Sequence, residues 1–168
     1  MTTAKAITNG YFPFGAVMIS DKVADVFEKD ETGRATIMHG YTYSCHPVGA
    51  AAAIACLAET KRLNVPVNAA ARGTQLFHGF QALQAKYDII GDVRGGHGLM
   101  TGMEIVSDRE NKTPMDKGIV AKIGQIAYEN GAMVRVSGSN ILCSPPLILT
   151  SDDVATIVGA LDAGFAAI

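Results

Sequence analysis

Four stretches of the sequence place reactive side chains in unusual company. In TTAKAITNGYFPFGAV, Lys5 is the only charged side chain before Asp21. A lysine taken out of water favours its neutral amine, which can attack a carbonyl and hold it as a Schiff base. The surroundings read as the end of a buried strand, because a free terminus normally carries disposable, charged residues. A lone lysine near a terminus is also commonly just a solvated charge, and Gly10, Pro13 and Gly15 suit an ordinary turn. The second stretch is MHGYTYSCHP, where Thr42 lies beside Gly40 just ahead of a helix start. Hydroxyl and backbone N–H groups in such a place can hold a phosphate. His39 and His46 stand seven apart with no third ligand, which fits structural histidines and not zinc. The third, GDVRGGHGLMTG, fails as a dinucleotide loop, since Thr101 falls where a third glycine belongs and a strand follows. The fourth, MVRVSG, puts Arg135 in an apolar strand. A buried arginine there needs an anionic partner, either a bound carboxylate or a structural salt bridge.

The elements that would position these groups alternate along the chain. FGAVMIS (14–20) reads as a short strand, and SDKVADVFEK as a short helix capped by Ser20 or Asp21. After a polar stretch, a helix from about Pro47 to Leu63 is expected, with Ser44 as its cap and Ala50, Ala53, Ile54, Leu57 and Ala58 on one face. A second helix spans roughly Asn68 to Lys86. YDIIGDVRGGHGLMTGMEIVSD then forms two strands around a glycine-rich turn. A helix from about Pro114 to Asn130 ends at Gly131. AMVRVSG and NILCSPPLIL pair through Gly138-Ser139-Asn140, and a capped amphipathic helix begins at Thr150 or Ser151. Strands flanked by helices, with late antiparallel hairpins, give an α+β fold class.

Composition narrows the partners. The 168 residues suffice for one domain, and a net charge of −2 with no long basic run offers no footprint for nucleic acid or an acidic membrane. Cys45, Cys56 and Cys143 are an odd, widely spaced set, which fits reduced thiols in the cytoplasm. No signal peptide is evident, and GAAAAIACLA is far shorter than the ~20 residues of a membrane span.

Taken together and in order, TTAKAITNGYFPFGAV, HGYTYSCHPVGAAAA, GDVRGGHGLMTGMEIV and MVRVSGSNILCSPPLILT resemble the C-terminal portion of class III aminotransferases. These are the pyridoxal-phosphate-dependent ω-transaminases of fold type I. The resemblance runs over nearly the whole chain. It implies that residues 1–46 end the large cofactor-binding domain, that 47–64 form a linking helix, and that 65–168 form the C-terminal small domain. It implies pyridoxal 5'-phosphate as cofactor, with Lys5 as the Schiff-base lysine that also carries the proton. It further implies that Thr42 bonds the cofactor phosphate across a homodimer, with Tyr41 beside it. Arg135 would bind the carboxylate of an amino or keto acid, and Tyr11 would fall near the substrate pocket.

The family's phosphate cradle, the aromatic stacked on the ring and the Asp at the pyridinium nitrogen have no counterpart in these residues. The chain is therefore expected to be inactive alone, whether it arises by proteolysis or from a start codon assigned inside a longer gene. A non-catalytic small-domain or oligomerisation module is the alternative. Within the enzyme reading, glutamate-semialdehyde aminomutases and dialkylglycine decarboxylases share the lysine, so an aminomutase or decarboxylating reaction also stays open.

Overall fold

A computed structural model describes residues 1–168, which divide into two compact units, Met1–Leu63 and Asn64–Ile168. In the first unit, β1 (Thr2–Ala4) pairs antiparallel with β2 (Gly15–Val17), with Thr3 opposite Ala16. Between them the chain makes a single 3-10 turn, Lys5–Thr8, ended by Asn9 in the left-handed conformation. Helix α1 (Asp21–Glu28) starts at Ser20, as expected, and buries none of its residues. Helix α2 (Pro47–Arg62) has Pro47 in its first turn, where a missing N–H costs nothing.

Two expectations for α2 are corrected. His46, not Ser44, occupies the residue before the helix, and the Ser44 hydroxyl instead accepts from the Tyr41 N–H at 3.2 Å. The inward stripe is Gly49, Ala53 and Cys56, while Ile54 and Leu57 are 68% and 55% exposed. The stripe is small because it lies against the hairpin: a Cβ on Gly49 would come 2.7 Å from Phe14 and 2.9 Å from Phe12. The Cys56 thiol reaches the Ala6 carbonyl at 3.6 Å.

The second unit opens with α3 (Val65–Lys86). This helix begins three residues earlier than the sequence suggests, because Pro66 sits inside the first turn and does not precede it. Four strands follow in the antiparallel order β3 (Ile90–Arg94), β4 (Thr101–Asp108), β7 (Asn140–Cys143), β6 (Arg135–Ser137), with a short β5 (Thr113–Pro114) beside β4. Helix α4 (Lys117–Glu129) starts after β5 and not at Pro114, since the Asp116 carboxylate accepts from the Gly118 N–H at 2.8 Å and fixes the start there. Helix α5 (Ser151–Ala166) has a full capping box, with Thr150 and Asp153 exchanging side-chain and backbone bonds.

Alternation in β4 sends Met103 and Ile105 inward, where they join Leu76 and Phe80 of α3, Ile123 of α4 and Leu161 of α5 in one core. Each such side chain contributes roughly 1.5–3 kcal/mol on burial. Small residues set the helix spacing. A Cβ on Gly73 of α3 would lie 2.1 Å from the Gly98 carbonyl oxygen, and one on Gly164 of α5 would lie 2.8 Å from the Ile123 carbonyl oxygen. The other face of the sheet carries a row across all four strands: Arg94, Gly102, Leu142, Arg135. No helix is long and apolar enough to cross a membrane.

Candidate active site

Lys5 follows β1 directly and opens the 3-10 turn with φ +55. A residue with a Cβ is disfavoured in this left-handed region, and such positions gather at functional sites where the surroundings enforce them. The side chain is exposed, so the buried strand end expected from the sequence is not what surrounds the amine. What the fold supplies is a fixed backbone. Lys5 forms no ion pair, and it borders a hollow of about 520 Å³ whose wall includes Ala4, Ala6, Gly10 and Phe12. A Cβ on Gly10 would meet nothing within 4 Å, so that side of the hollow is open. An amine so placed can meet a carbonyl compound without displacing a carboxylate first.

Thr42 begins a turn, 42–45, directly ahead of α2, and its hydroxyl is exposed and makes no hydrogen bond within the chain. Tyr41, 70% exposed, pairs its hydroxyl with His39 Nε2 at 2.7 Å, the rings meeting edge to face. Cys45 takes φ +60 to turn the chain into the helix. His46 packs between the rings of Phe12 and Tyr43, and its Nδ1 is buried without a hydrogen-bond partner, so the expectation of a fully satisfied structural histidine does not hold. Tyr11 is 86% exposed and does not line the hollow beside Lys5.

Arg135 lies in the second unit, at the start of the edge strand β6. It is exposed and has no acidic partner, which corrects both the expected burial and the salt-bridge alternative. Arg135 borders a cleft of about 1100 Å³ walled mostly by apolar groups, among them Met133, Leu142, Pro145 and Ile148. Asp153, also in that wall, is committed to the cap of α5, whose Thr150 donors hold its carboxyl below the ordinary carboxylate range. Cys143 lies there too, and burial pushes its thiol up to about 11.

The first unit thus carries Lys5, Tyr11, Tyr41 and Thr42, and the second carries Arg135. No hydrogen bond joins Thr42 to Lys5 within the chain. Sequence reasoning passed over Thr8, which is 1% exposed and hydrogen-bonded inside the Lys5 turn. The available signal was Asn9-Gly10, a pair suited to left-handed backbone, closing a tight turn just after it.

Comparison with known proteins decides the family. The model for class III aminotransferases matches residues 1–164. The chain belongs to the class III aminotransferases. Among solved members, a PLP-bound amine transaminase from an uncultivated Pseudomonas species superposes with a TM-score of 0.93 at 42% identity, covering 99% of this chain and 38% of that one. A thermostable (S)-enantioselective omega-transaminase from Thermomicrobium roseum gives 0.87 at 31% identity, with 99% and 36% covered. Among curated aminotransferases, the mitochondrial gamma-aminobutyrate transaminase 1 of Oryza sativa subsp. indica is 36% identical over 163 residues, which are 94% of this chain and 31% of that protein. The chain therefore spans about a third of the length of the aminotransferases it matches.

Proposed function

We propose that this chain is the C-terminal portion of a pyridoxal-phosphate-dependent transaminase. The enzyme would move an amino group between an amine or ω-amino acid and a keto acid such as pyruvate. The observation that carries the proposal is the family match from residue 1 to 164, which takes in all four chemically suggestive stretches in one alignment. Relatives named as gamma-aminobutyrate and amine transaminases favour an ω-amino acid or amine donor.

The residues present suit the cofactor. Lys5 offers an amine free of any ion pair beside an open hollow, and Thr42 offers an unused hydroxyl for a phosphate. Pyridoxal phosphate, when bound, supplies the electron-withdrawing ring that stabilises negative charge on the substrate carbon. Lys5 Nζ would be the group that holds the cofactor and the base that moves the substrate proton. Thr42 would donate to the phosphate across a homodimer, with Tyr41 at the rim. Arg135 takes the substrate carboxylate in a two-point, charge-assisted contact, and it is free to do so because no acidic side chain occupies it. Tyr11 would meet the substrate only from outside the hollow beside Lys5, which it does not line. Three free thiols suit a cytoplasmic setting.

The test is alanine formation from pyruvate with a panel of amines and ω-amino acids. It is run on the complete enzyme with added cofactor, and in parallel on the 168 residues alone. Turnover is expected from the complete enzyme only. A complete enzyme that binds the cofactor yet transaminates none of these donors would overturn the proposal.

A further inference from the structure

Thr8 is the only polar side chain that Met1–Leu63 buries, at 1% exposure. Its Oγ1 lies 2.6 Å from the Phe12 carbonyl and 3.4 Å from the Lys5 carbonyl. A hydroxyl has one proton to donate, so the short bond to Phe12 takes it and Lys5 receives only a weak second arm. Two backbone bonds complete the knot: Asn9 N–H to the Ala6 carbonyl at 3.1 Å, and Tyr11 N–H to the Thr8 carbonyl at 3.0 Å. Together they tie segment 9–12 back onto the turn that begins at Lys5. Phe12 is itself held from outside, its ring 4.9 Å from that of His46 and close enough to α2 that Gly49 has no room for a side chain.

A line of fixed contacts thus runs from α2 through Phe12 and the Thr8 hydroxyl to the backbone of Lys5. At its end stands a lysine held at φ +55, a conformation that its own Cβ disfavours. Backbone of this kind persists only where the surroundings over-determine it. We infer that Thr8 is a positioning residue for Lys5: its buried hydroxyl, acting through the Phe12 carbonyl, holds the turn that presents the Lys5 amine to the neighbouring hollow. The inference rests on the proposed role of Lys5 as the cofactor-bearing amine.

Without the hydroxyl the Phe12 carbonyl loses its partner and the turn is free to relax toward ordinary backbone, carrying the amine away from its reactive position. Misplacement by about 1 Å is enough to slow a positioned reaction roughly a hundredfold.

The test uses the complete enzyme as wild type, Thr8→Ala and Thr8→Ser, the two variants differing by one oxygen atom. Each is incubated with pyridoxal phosphate and cyanoborohydride, and the rate of covalent labelling at Lys5 is followed by peptide mass, at a temperature where all three are folded. Thr8→Ser is expected to label close to the wild-type rate, and Thr8→Ala about ten- to a hundredfold more slowly. If Thr8→Ala does not fold, Thr8→Val, of nearly the same volume as the native residue, replaces it in the comparison. A hydroxyl-free variant as fast as wild type, or a Thr8→Ser enzyme as slow as the hydroxyl-free one, overturns the inference and leaves the role of Lys5 intact. A wild-type enzyme that takes no label at Lys5 overturns both.

Discussion

At the scale of single residues, groups that react are distinct from groups that hold. Thr42 is proposed to hold: one hydrogen bond to a charged phosphate is worth about 1.5–3 kcal/mol. Thr42→Ala should therefore weaken cofactor affinity about ten- to a hundredfold, measured by absorbance titration, while the covalent attachment through Lys5 still forms. Arg135 is proposed to hold as well, but only substrates that carry a carboxylate. In separate half-reactions, Arg135→Ala should leave simple amines nearly unaffected and slow the keto-acid half-reaction, chiefly through KM. Equal losses in both half-reactions would count against its role. The candidate side chains stood out in the sequence by their company: a lysine alone among apolar and small residues, an arginine alone in a strand. Their environment was not legible there. Lys5 and Arg135 both stand exposed in this chain, because an apolar neighbourhood in sequence does not place a side chain on the buried side of its element. Thr8 escaped notice for the opposite reason, since threonine is common in turns and only the fold shows its hydroxyl sealed against the Phe12 carbonyl.

At the scale of elements, close approach does the positioning. Gly73→Ala would drive a methyl group to 2.1 Å from the Gly98 carbonyl oxygen, a contact with backbone that no rotamer can relieve. The expected cost is about 1–3 kcal/mol or more, read as a lower denaturation midpoint with an unchanged slope. Helices α3 and α5 are also joined at the surface, where Lys86 Nζ and the Tyr87 hydroxyl meet the Asp162 carboxylate at 2.6 and 2.8 Å. Those bonds, that from Lys86 foremost, hold the Asp162 pKa below its ordinary 3.8. A depressed carboxylate stabilises the fold above its unfolded pKa and stops doing so as pH falls through its folded one. Asp162→Asn should therefore lower stability at neutral pH slightly and flatten its decline below about pH 4, as followed by thermal melts across that range. The elements themselves were largely readable. Strand alternation, the Thr150–Asp153 cap and the glycine-rich β3–β4 turn all carry strong local signals. Boundaries moved where a local device competed with the pattern: Pro66 inside a first turn instead of before it, and Asp116 capping α4 after a short strand had claimed Thr113 and Pro114.

At the scale of the whole molecule, the two units carry different chemistry: one presents the Lys5 amine and the unused Thr42 hydroxyl, the other Arg135 beside an apolar cleft. The family was legible because four stretches, each ambiguous alone, occur in a fixed order over nearly the full chain. The substrate was not, since an arginine and an apolar wall fit many acids. The proposed role of Lys5 is to hold the cofactor of the complete enzyme. It is tested most directly by incubating the complete enzyme with pyridoxal phosphate, reducing it, digesting it and finding the label by mass. One stoichiometric label is expected, on Lys5, absent in Lys5→Ala together with the cofactor absorbance and nearly all turnover. A label on another lysine, or a Lys5→Ala enzyme that keeps its absorbance and activity, would contradict it.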